Sequence, residues 1–228
     1  MHDVRVNDEA LPAWRQRTAT EHRWPVALAI LLALGLQLPL PDKLNFLPSW
    51  LLPGLTTLLV VLVVAVNPGR VGRYERLERS IGLVVAALVS FGNAVNGVQL
   101  VRHILDGSLG DQAGPLLSNG ASVYVTNIIV FSLWYWEFDR GGPAVRASGV
   151  REYPDFLFPQ MSSPELAPRD WEPRYLDYLY LSFTNATAFS PTDVMPLRTW
   201  AKLAMLAQSV ISLLIVVLVV ARAVNVLH

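Results

Sequence analysis

Residues 180–197 read YLSFTNATAFSPTDVMPL and combine hydroxyl and amide side chains with one carboxylate, that of Asp193. These groups present oxygen atoms to a ligand, but no nucleophile stands beside a base, since Ser190 has no histidine nearby in sequence. The chain also lacks Gly-x-Ser-x-Gly, His-Glu-x-x-His and a glycine-rich phosphate loop. We therefore expect no enzymatic activity, and these oxygen atoms serve another purpose.

The composition of the chain is that of a membrane protein. Of its 228 residues, 53% are hydrophobic and 16% are charged, whereas soluble domains carry about 25% charged residues. The 18 basic residues equal the 18 acidic ones, so no basic field indicates a nucleic-acid partner. There is no cysteine and the four histidines are scattered, so we expect no cofactor and no metal site of the usual kind.

Five runs without a charged residue predict five transmembrane helices, because about 20 mainly apolar residues are needed to cross a bilayer. The runs are residues 24–41, 44–69, 80–101, 115–136 and 203–221. The fold class we expect is therefore an all-α integral membrane protein. The first run lacks a small-x-small cleavage site, so we expect it to be kept as a signal-anchor helix.

The same runs divide the chain into four parts. They are an N-terminal arm (1–23), a four-helix transmembrane region (24–138), a proline-rich surface linker (139–172) and a last part with one polar segment and one helix (173–228).

Arginines are distributed unequally between the predicted loops. Four lie between the second and third runs and four in the N-terminal arm, whereas the loop DGSLGDQAG, residues 106–114, has Asp106 and Asp111 and no Lys or Arg. The positive-inside rule then puts the N-terminus, the arginine-rich loop and the linker in the cytoplasm, with the chain in the plasma or inner membrane. The reverse orientation is the alternative.

The polar segment is too short and too polar for a lipid-facing span. Residues 178–192 carry no charge but number only 15, and six of them are Ser, Thr or Asn. Irregular backbone at membrane depth is tolerated only where protein covers it or water lines it. We predict a re-entrant unit, with a short helix over 173–186, a turn near Ser190 and Pro191, and a return over 193–196. A full sixth crossing over 174–190 is the alternative.

At this point the residues resemble a known family. YLSFTNATAFSPTDVMPL followed by RTWAKLAMLAQSVISLLIVVLVVARAVN is similar to the pore helix, filter and inner helix of tetrameric potassium-type channels, over about 50 of the 228 residues. The family pattern is roughly Y-x-S-x-x-x-x-T-T-V-G-Y-G-D-x-x-P. The residues on its matching positions are Tyr180, Ser182, Thr187, Asp193 and Pro196. The four preceding runs and the D-R-G-G after the fourth also resemble a group of uncharacterised bacterial membrane proteins.

This resemblance implies roles for two sets of residues. The pore helix would contain Asp177, Tyr180, Ser182, Thr184 and Asn185, and the filter would contain Thr187, Ala188, Phe189, Ser190, Pro191, Thr192 and Asp193. Asp177 either pairs with Arg174 as a structural contact or attracts ions to a vestibule. Asp193 either braces the loop or faces permeating ions.

The sequence departs from the family where selectivity is decided. Family filters coordinate potassium with backbone carbonyls of T-V-G-Y-G, but the five residues from Ala188 to Thr192 contain no glycine and include a proline. We therefore expect a wider, partly hydrated constriction for monovalent cations, lined by hydroxyls and a ring of Asp193 carboxylates from neighbouring copies. Because such a loop needs neighbours to cover its backbone, a homo-oligomer is expected, with a tetramer favoured.

A second group of polar residues lies inside the predicted spans. Ser90, Asn93, Asn96 and Gln99 recur at every third position of the third run, and Asn127 lies in the fourth. They either form hydrogen bonds between helices, worth about 0.6 kcal/mol each, or line an intramembrane polar path.

Two further functions compete with a cation pore. One is a non-conducting scaffold or regulatory subunit, with Phe189 and Pro191 plugging the loop, and the other is a small transporter that uses the polar residues of the third span. Membrane lipid and further copies of the chain are the expected partners.

Overall fold

The computed structural model describes residues 11–19, 21–37, 54, 57, 75–106, 113–187 and 193–227, and these are mostly helical. The α-helices are α1 (Trp24–Gln37), α2 (Glu75–Asp106), α3 (Ala113–Phe138), α4 (Pro143–Ala147), α5 (Pro159–Ser162), α6 (Tyr175–Thr187) and α7 (Thr199–Leu227). Short 3-10 helices cover Ala13–Arg15, Asp139–Gly141 and Pro164–Leu166. Strands β1 (Phe156–Leu157) and β2 (Met195–Pro196) pair antiparallel.

Three helices are long and apolar enough to cross a membrane. They cover Arg79–Asp106, Leu116–Gly141 and Thr199–Val224, with 28, 26 and 26 residues and mean hydropathies of 1.8, 1.4 and 2.7. The prediction of a helical chain is thereby confirmed, and the third, fourth and fifth runs lie in helices long and apolar enough to cross a membrane. The apolar helix α1, at 14 residues, is shorter. Of the predicted span 44–69, only residues 54 and 57 are among those described.

Helix α3 is the centre of the bundle and packs against α1, α2, α6 and α7. Hydrogen bonds between α3 and two of its neighbours show in which direction these helices run. Ser132 and Ile128 of α3 bond to Tyr175 and Ser182 of α6, and Tyr135 and Asn127 of α3 bond to Gln208 and Ser212 of α7. Residue numbers therefore decrease along α3 in the direction in which they increase along α6 and α7. Helices α6 and α7 therefore both run antiparallel to α3 and begin at the same end of the bundle.

A layer of packed polypeptide covers that end, and we call it the cap: residues 11–19, 139–174 and 193–198. Its centre is the fully buried ring of Phe156, which meets Tyr135, Trp200 and Tyr178 edge to face at centroid distances of 5.1, 5.4 and 6.4 Å. Such aromatic pairs contribute about 0.5–1.5 kcal/mol each beyond the burial of their surface. The predicted surface linker thus supplies part of the hydrophobic core.

The carboxylate of Asp139, at the end of α3, organises the cap. One oxygen, Oδ1, accepts hydrogen bonds from the backbone N–H groups of Asp155 (2.9 Å) and Phe156 (3.4 Å). The other, Oδ2, accepts from the Tyr178 hydroxyl (2.5 Å) and lies 3.7 Å from Arg140 Nε. Since Asp139 is fully buried, these donors replace the water that a free carboxylate would bind.

The chain reverses direction immediately after α3. Arg140, Gly141 and Gly142 have φ angles of 50°, 86° and 99°, in the left-handed region that favours glycine. The non-glycine residue of the three, Arg140, is held by its backbone N–H, which donates to Asp155 Oδ2 (2.9 Å), and by its Nη1, which donates to the carbonyl of Trp14 (2.6 Å). These contacts offset a backbone strain of about 1–2 kcal/mol.

Arg146 donates hydrogen bonds to carbonyl groups at the end of α3. Its Nη1 donates to the carbonyl oxygens of Trp136 (2.5 Å) and Asp139 (3.0 Å), and its guanidinium lies 5.0 Å from the centre of the Tyr178 ring. Helix ends expose carbonyls that need such partners, and Arg146 supplies a donor to two of them.

Replacing Asp139 with Asn should destabilise the protein strongly. The substitution removes the charge that compensates the buried guanidinium of Arg140, and loss of one partner of a buried pair costs about 3–5 kcal/mol. We expect a clearly lower thermal unfolding midpoint in detergent, followed by tryptophan fluorescence. Asp170→Asn, which changes an exposed acid of the same cap, is the matched control. Equal midpoints for the two variants would contradict the role of Asp139.

Candidate functional site

The candidate site is built on α6, and two acids hold the start of this helix. Asp177 Oδ2 accepts a hydrogen bond from the backbone N–H of Arg174 (2.7 Å), and Glu21 Oε1 accepts one from the backbone N–H of Tyr175 (2.7 Å). Helix N-termini leave such N–H groups unpaired and favour negative charge. The hydrogen bond between Asp177 and the backbone of Arg174 supports the interpretation that Asp177 has a structural role.

Helix α6 begins two residues after the predicted start at 173 and ends one residue after the predicted end at 186.

Glu21 also connects the N-terminal arm to the bundle. Its Oε2 accepts a hydrogen bond from Trp136 Nε1 (2.9 Å). Burial raises the pKa of the Glu21 carboxyl above its ordinary value of 4.5, although the two hydrogen bonds and the charges of Arg146 and Arg174 act in the opposite direction. Protonation of Glu21 is therefore coupled to the docking of the arm.

The two faces of α6 have different surroundings. Tyr175, Tyr178 and Leu181 are fully buried against the bundle, and the Tyr175 hydroxyl lies 2.9 Å from Ser132 Oγ on α3. The opposite face consists of Leu176, Tyr180 and Phe183, with exposed fractions of 62, 57 and 52%. A wide apolar face thus stays uncovered along the helix in the single chain.

A hydrogen-bonded network centred on Gln208 joins α6, α3 and α7. Gln208 Nε2 donates to the backbone carbonyl (2.9 Å) and the hydroxyl (2.7 Å) of Ser182, while its Oε1 accepts from Tyr135 Oη (2.7 Å) and Asn185 Nδ2 (2.8 Å). Ser182 Oγ in turn donates to the carbonyl of Ile128 (2.6 Å). The amide of Gln208 has four partners and no exposed surface, so the three helices are held in one register.

The remaining pore-helix residues lie along the same helix. Asn185 Nδ2 also donates to the carbonyl of Met205 (2.9 Å), and the Ser209 hydroxyl donates to Asn185 (3.2 Å to the carbonyl). Thr184 and Thr187 direct their hydroxyls to carbonyls of their own helix, those of Tyr180 (3.0 Å) and Thr184 (2.9 Å). Of the predicted pore-helix residues, Tyr180 is on the exposed face, and Ser182, Thr184 and Asn185 face the bundle.

Helix α6 stops part of the way along the bundle, and the chain then returns to the cap. Thirteen residues of α-helix measure about 20 Å, less than the about 30 Å of hydrocarbon in a bilayer. Residues 188–192, which include five of the predicted filter residues, lie outside the described part of the chain. Asp193 is exposed and Val194 is buried in the core of the cap.

The return is fixed by the same acids that organise the cap. Strand β2 pairs with β1, the backbone N–H of Leu197 donates to the carbonyl of Asp155 (2.8 Å), and Arg198 Nε lies 3.3 Å from Asp155 Oδ1. Because Asp155 is bonded to Asp139 and Arg140, the entrance of the segment at Tyr178 and its exit at Leu197 share one anchor.

The predicted intramembrane polar residues are brought together only in part. Ser90, Asn93 and Asn127 line one cleft between α2, α3 and α7, whereas Asn96 and Gln99 are half-buried outside its lining. Ser90 Oγ accepts from Trp134 Nε1 (2.9 Å) and Asn127 Nδ2 donates to Ser212 Oγ (3.0 Å). These two contacts are the interhelical hydrogen bonds that the sequence suggested as one interpretation.

Sequence reasoning missed Gln208 and underestimated Asp139. The signal for Gln208 was available, since it is the one amide in the charge-free run 203–221, and a polar residue there needs a partner. In the sequence, Asp139 and Arg140 are seen only as the start of the D-R-G-G that follows the fourth predicted span. Their burial depends on Asp155 and Tyr178, which are distant in sequence.

Replacing Gln208 with Leu should loosen α6 from the bundle. The change removes the acceptor of the Tyr135 hydroxyl and one of the two acceptors of the Asn185 amide, and an unsatisfied buried polar group costs about 1–3 kcal/mol. We expect a lower unfolding midpoint and faster hydrogen exchange within α6, measured by mass spectrometry. Leu206→Ala, on the exposed face of α7, is the control, and unchanged exchange in α6 would refute the network's role.

The pH dependence of stability should change when Glu21 is replaced with Gln. A raised pKa means that the folded chain keeps this proton at pH values where the unfolded chain has lost it. Its contribution to stability is complete below pH 4.5 and is lost as the pH rises through the higher pKa of the folded state. The melting temperature of the native protein should therefore fall relative to Glu21→Gln over that interval. A difference that is constant with pH would contradict this linkage, and the exposed Glu165→Gln serves as the control.

Comparisons with other proteins add no family to these observations: no known protein family, characterised protein or solved structure matches the chain. Among the described residues, no group of three or more His, Asp or Glu side chains could hold a metal ion.

Proposed function

We propose that this protein is an ion-channel-like membrane protein whose copies assemble, as a tetramer, around a path for monovalent cations. One observation carries the proposal: α6 and α7 begin at the same end of the bundle, run in the same direction and are separated by a short return to the cap. This is the arrangement of a short pore helix, a loop and an inner helix, as the resemblance to potassium-type channels implies.

The proposal includes five membrane spans and one re-entrant unit. The long helices α2, α3 and α7 are three of the spans, and the predicted spans 24–41 and 44–69 complete the five. The length of α6 supports a re-entrant unit, because about 20 Å of helix does not cross the hydrocarbon. Its turn at membrane depth then needs cover by protein or contact with water.

Charge distribution supports a cytoplasmic cap in the plasma or inner membrane. Arg15, Arg17 and Arg79 lie at the cap end with the start of α6, and Asp106 lies at the opposite end of α2. By the positive-inside rule the N-terminal arm is cytoplasmic, and the loop enters the membrane from the cytoplasm. In potassium-type channels the loop enters from the outside, so this chain reverses the family's direction.

Assembly into an oligomer is supported by the uncovered side of α6. Leu176, Tyr180 and Phe183 form an apolar face on α6, and the proposed turn after this helix has backbone polar groups that hydrocarbon does not satisfy. Neighbouring copies of the chain would cover both features at once. The hydroxyls of Thr187, Ser190 and Thr192 and the carboxylate of Asp193 would then surround the axis and favour cations, with a selectivity unlike that of potassium channels because the filter glycines are missing.

A non-conducting scaffold or regulatory subunit is the second candidate, and one observation favours it. Every exposed residue of α7 between positions 203 and 221 is apolar, while Gln208 and Ser212 face the bundle. An inner helix with this surface would line a hydrophobic constriction, which either gates by dewetting or closes the path. A small transporter that uses Ser90, Asn93 and Asn127 is a third reading, and it is supported by their shared cleft.

Cation flux should depend on the Asp193 carboxylate. Purified protein in liposomes should release trapped monovalent cations in preference to anions, and Asp193→Asn should reduce this preference several-fold because the ring of negative charge is lost. The matched control is Asp170→Asn, an exposed acid of the cap. Equal cation and anion flux, or no flux at any voltage or pH, would favour the scaffold.

The mass of the assembled particle provides a separate test. In nanodiscs, native mass spectrometry should detect four copies of the 25.2 kDa chain. Phe183→Glu, which puts a charge on the exposed face of α6, should reduce the oligomer, whereas Val150→Glu, an exposed position in the cap, should leave it intact. A monomer of the native chain would contradict the pore.

A further inference from the structure

A laterally open cleft lies between α2 and α7 with α3 as its floor, and its volume is about 700 Å³. At the end far from the cap, the two helices meet in a cluster that contains Leu100, Leu116 and Val219. Most of the residues that line the cleft lie on the cap side of this cluster. Its rim includes Val98 and Leu214, with exposed fractions of 51 and 56%. The opening therefore faces the lipid, and the volume lies within the range of small-molecule sites, about 300–1,000 Å³.

One polar group in this cleft has no partner among the described residues. Asn93 lines the cleft and is 94% buried, and its Oδ1 accepts no hydrogen bond from that part of the chain. The neighbouring polar groups Ser90 and Asn127 are bonded to Trp134 and Ser212. An unpaired buried carbonyl costs about 1–3 kcal/mol, and lipid tails have no donor to supply. A ligand with a hydrogen-bond donor would remove this cost after a rotation of the Asn93 amide.

The charges around the cleft limit the kind of ligand. The lining residues include one charged side chain, Arg102, which lies nine residues beyond Asn93 on α2. Nine residues of helix measure about 13 Å, so a headgroup beside Asn93 meets amide and hydroxyl groups and no charge. The rest of the lining is mainly apolar, with residues such as Val130 and Ile215. A neutral, hydroxyl-bearing apolar molecule matches both features.

We propose that this cleft is a binding site for a neutral amphipathic membrane molecule, a long-chain or ring alcohol whose hydroxyl donates to Asn93 Oδ1. Its apolar body lies between α2 and α7 and replaces bilayer lipid. The site is independent of the pore loop and of ion conduction. Because the molecule contacts α7 at Ile211 and Leu214, its binding stabilises one separation of α2 and α7.

Dodecan-1-ol is a suitable probe, with dodecane and dodecanoate as comparisons. The chain has no cysteine, so Val98→Cys gives a single site at the rim for an environment-sensitive fluorophore. In phosphatidylcholine nanodiscs, dodecan-1-ol should give a saturable response, and dodecane a weaker one. Asn93→Leu should lower the apparent affinity for the alcohol roughly 3- to 18-fold, the equivalent of one intramembrane hydrogen bond of about 0.6–1.7 kcal/mol.

Two further variants keep the test decisive. Asn96→Leu changes the same residue type one turn away on α2, outside the lining of the cleft, and should leave the response unchanged. Ala94→Phe fills the cleft from an exposed position and should abolish the response without loss of folding. The Ala94 variant therefore tests the site even if Asn93→Leu fails to fold.

Three outcomes would overturn the proposal. Responses to alcohol and alkane that do not saturate, or that are equal in all variants, would show simple partitioning into the bilayer. Preferential binding of dodecanoate, lost in Arg102→Gln, would identify a site for anionic lipids. A smaller particle mass in Ala94→Phe would show that a second copy of the chain occupies the cleft.

Discussion

The buried carboxylate of Asp139 is the interaction on which the rest of the described structure depends. It receives hydrogen bonds from β1 and from α6 and pairs with Arg140, so three elements that are far apart in sequence meet at one side chain. Each contact compensates the large cost of removing a charge from water. Losing one partner would leave the others buried beside an uncompensated charge, which makes the arrangement all-or-none.

Asp155 extends this anchor to the end of the polar segment. Its side chain accepts from the backbone of Arg140 and pairs with Arg198, and its carbonyl accepts from Leu197. The start of α6 and the start of α7 are therefore attached to the same layer of the structure. The proposed pore loop, or a plug in its place, would need both of its ends anchored in this way.

Within the bundle, polar contacts have the role that apolar packing has in soluble proteins. Lipid tails are as apolar as leucine, so burying leucine between helices gains little, and hydrogen bonds and close packing of small residues specify the contacts. Gln208 provides the hydrogen bonds between α6 and α7. Gly120 allows close packing of α3 and α7, since a Cβ there would lie 2.7 Å from Val219 Cγ2. The side of α7 that faces away from the bundle carries no polar group between 203 and 221. The polar groups in this part of α7 therefore hold the fold together.

The sequence by itself determined the helical segments, because charge-free runs of about 20 residues have few other stable structures in a bilayer. It also determined the bounds of α6 to within two residues, through the acids and prolines around it. It did not determine which polar residues face one another. On a helix, side chains three residues apart differ in direction by about 60°, so Ser90 and Gln99 point to opposite sides of α2. Of the four polar residues that recur at every third position of this helix, only Ser90 and Asn93 reach the cleft. The tertiary structure alone decided that Asp139, Asp155 and Tyr178 meet, because a contact between residues 16 to 39 positions apart depends on how the whole chain packs and not on any local pattern.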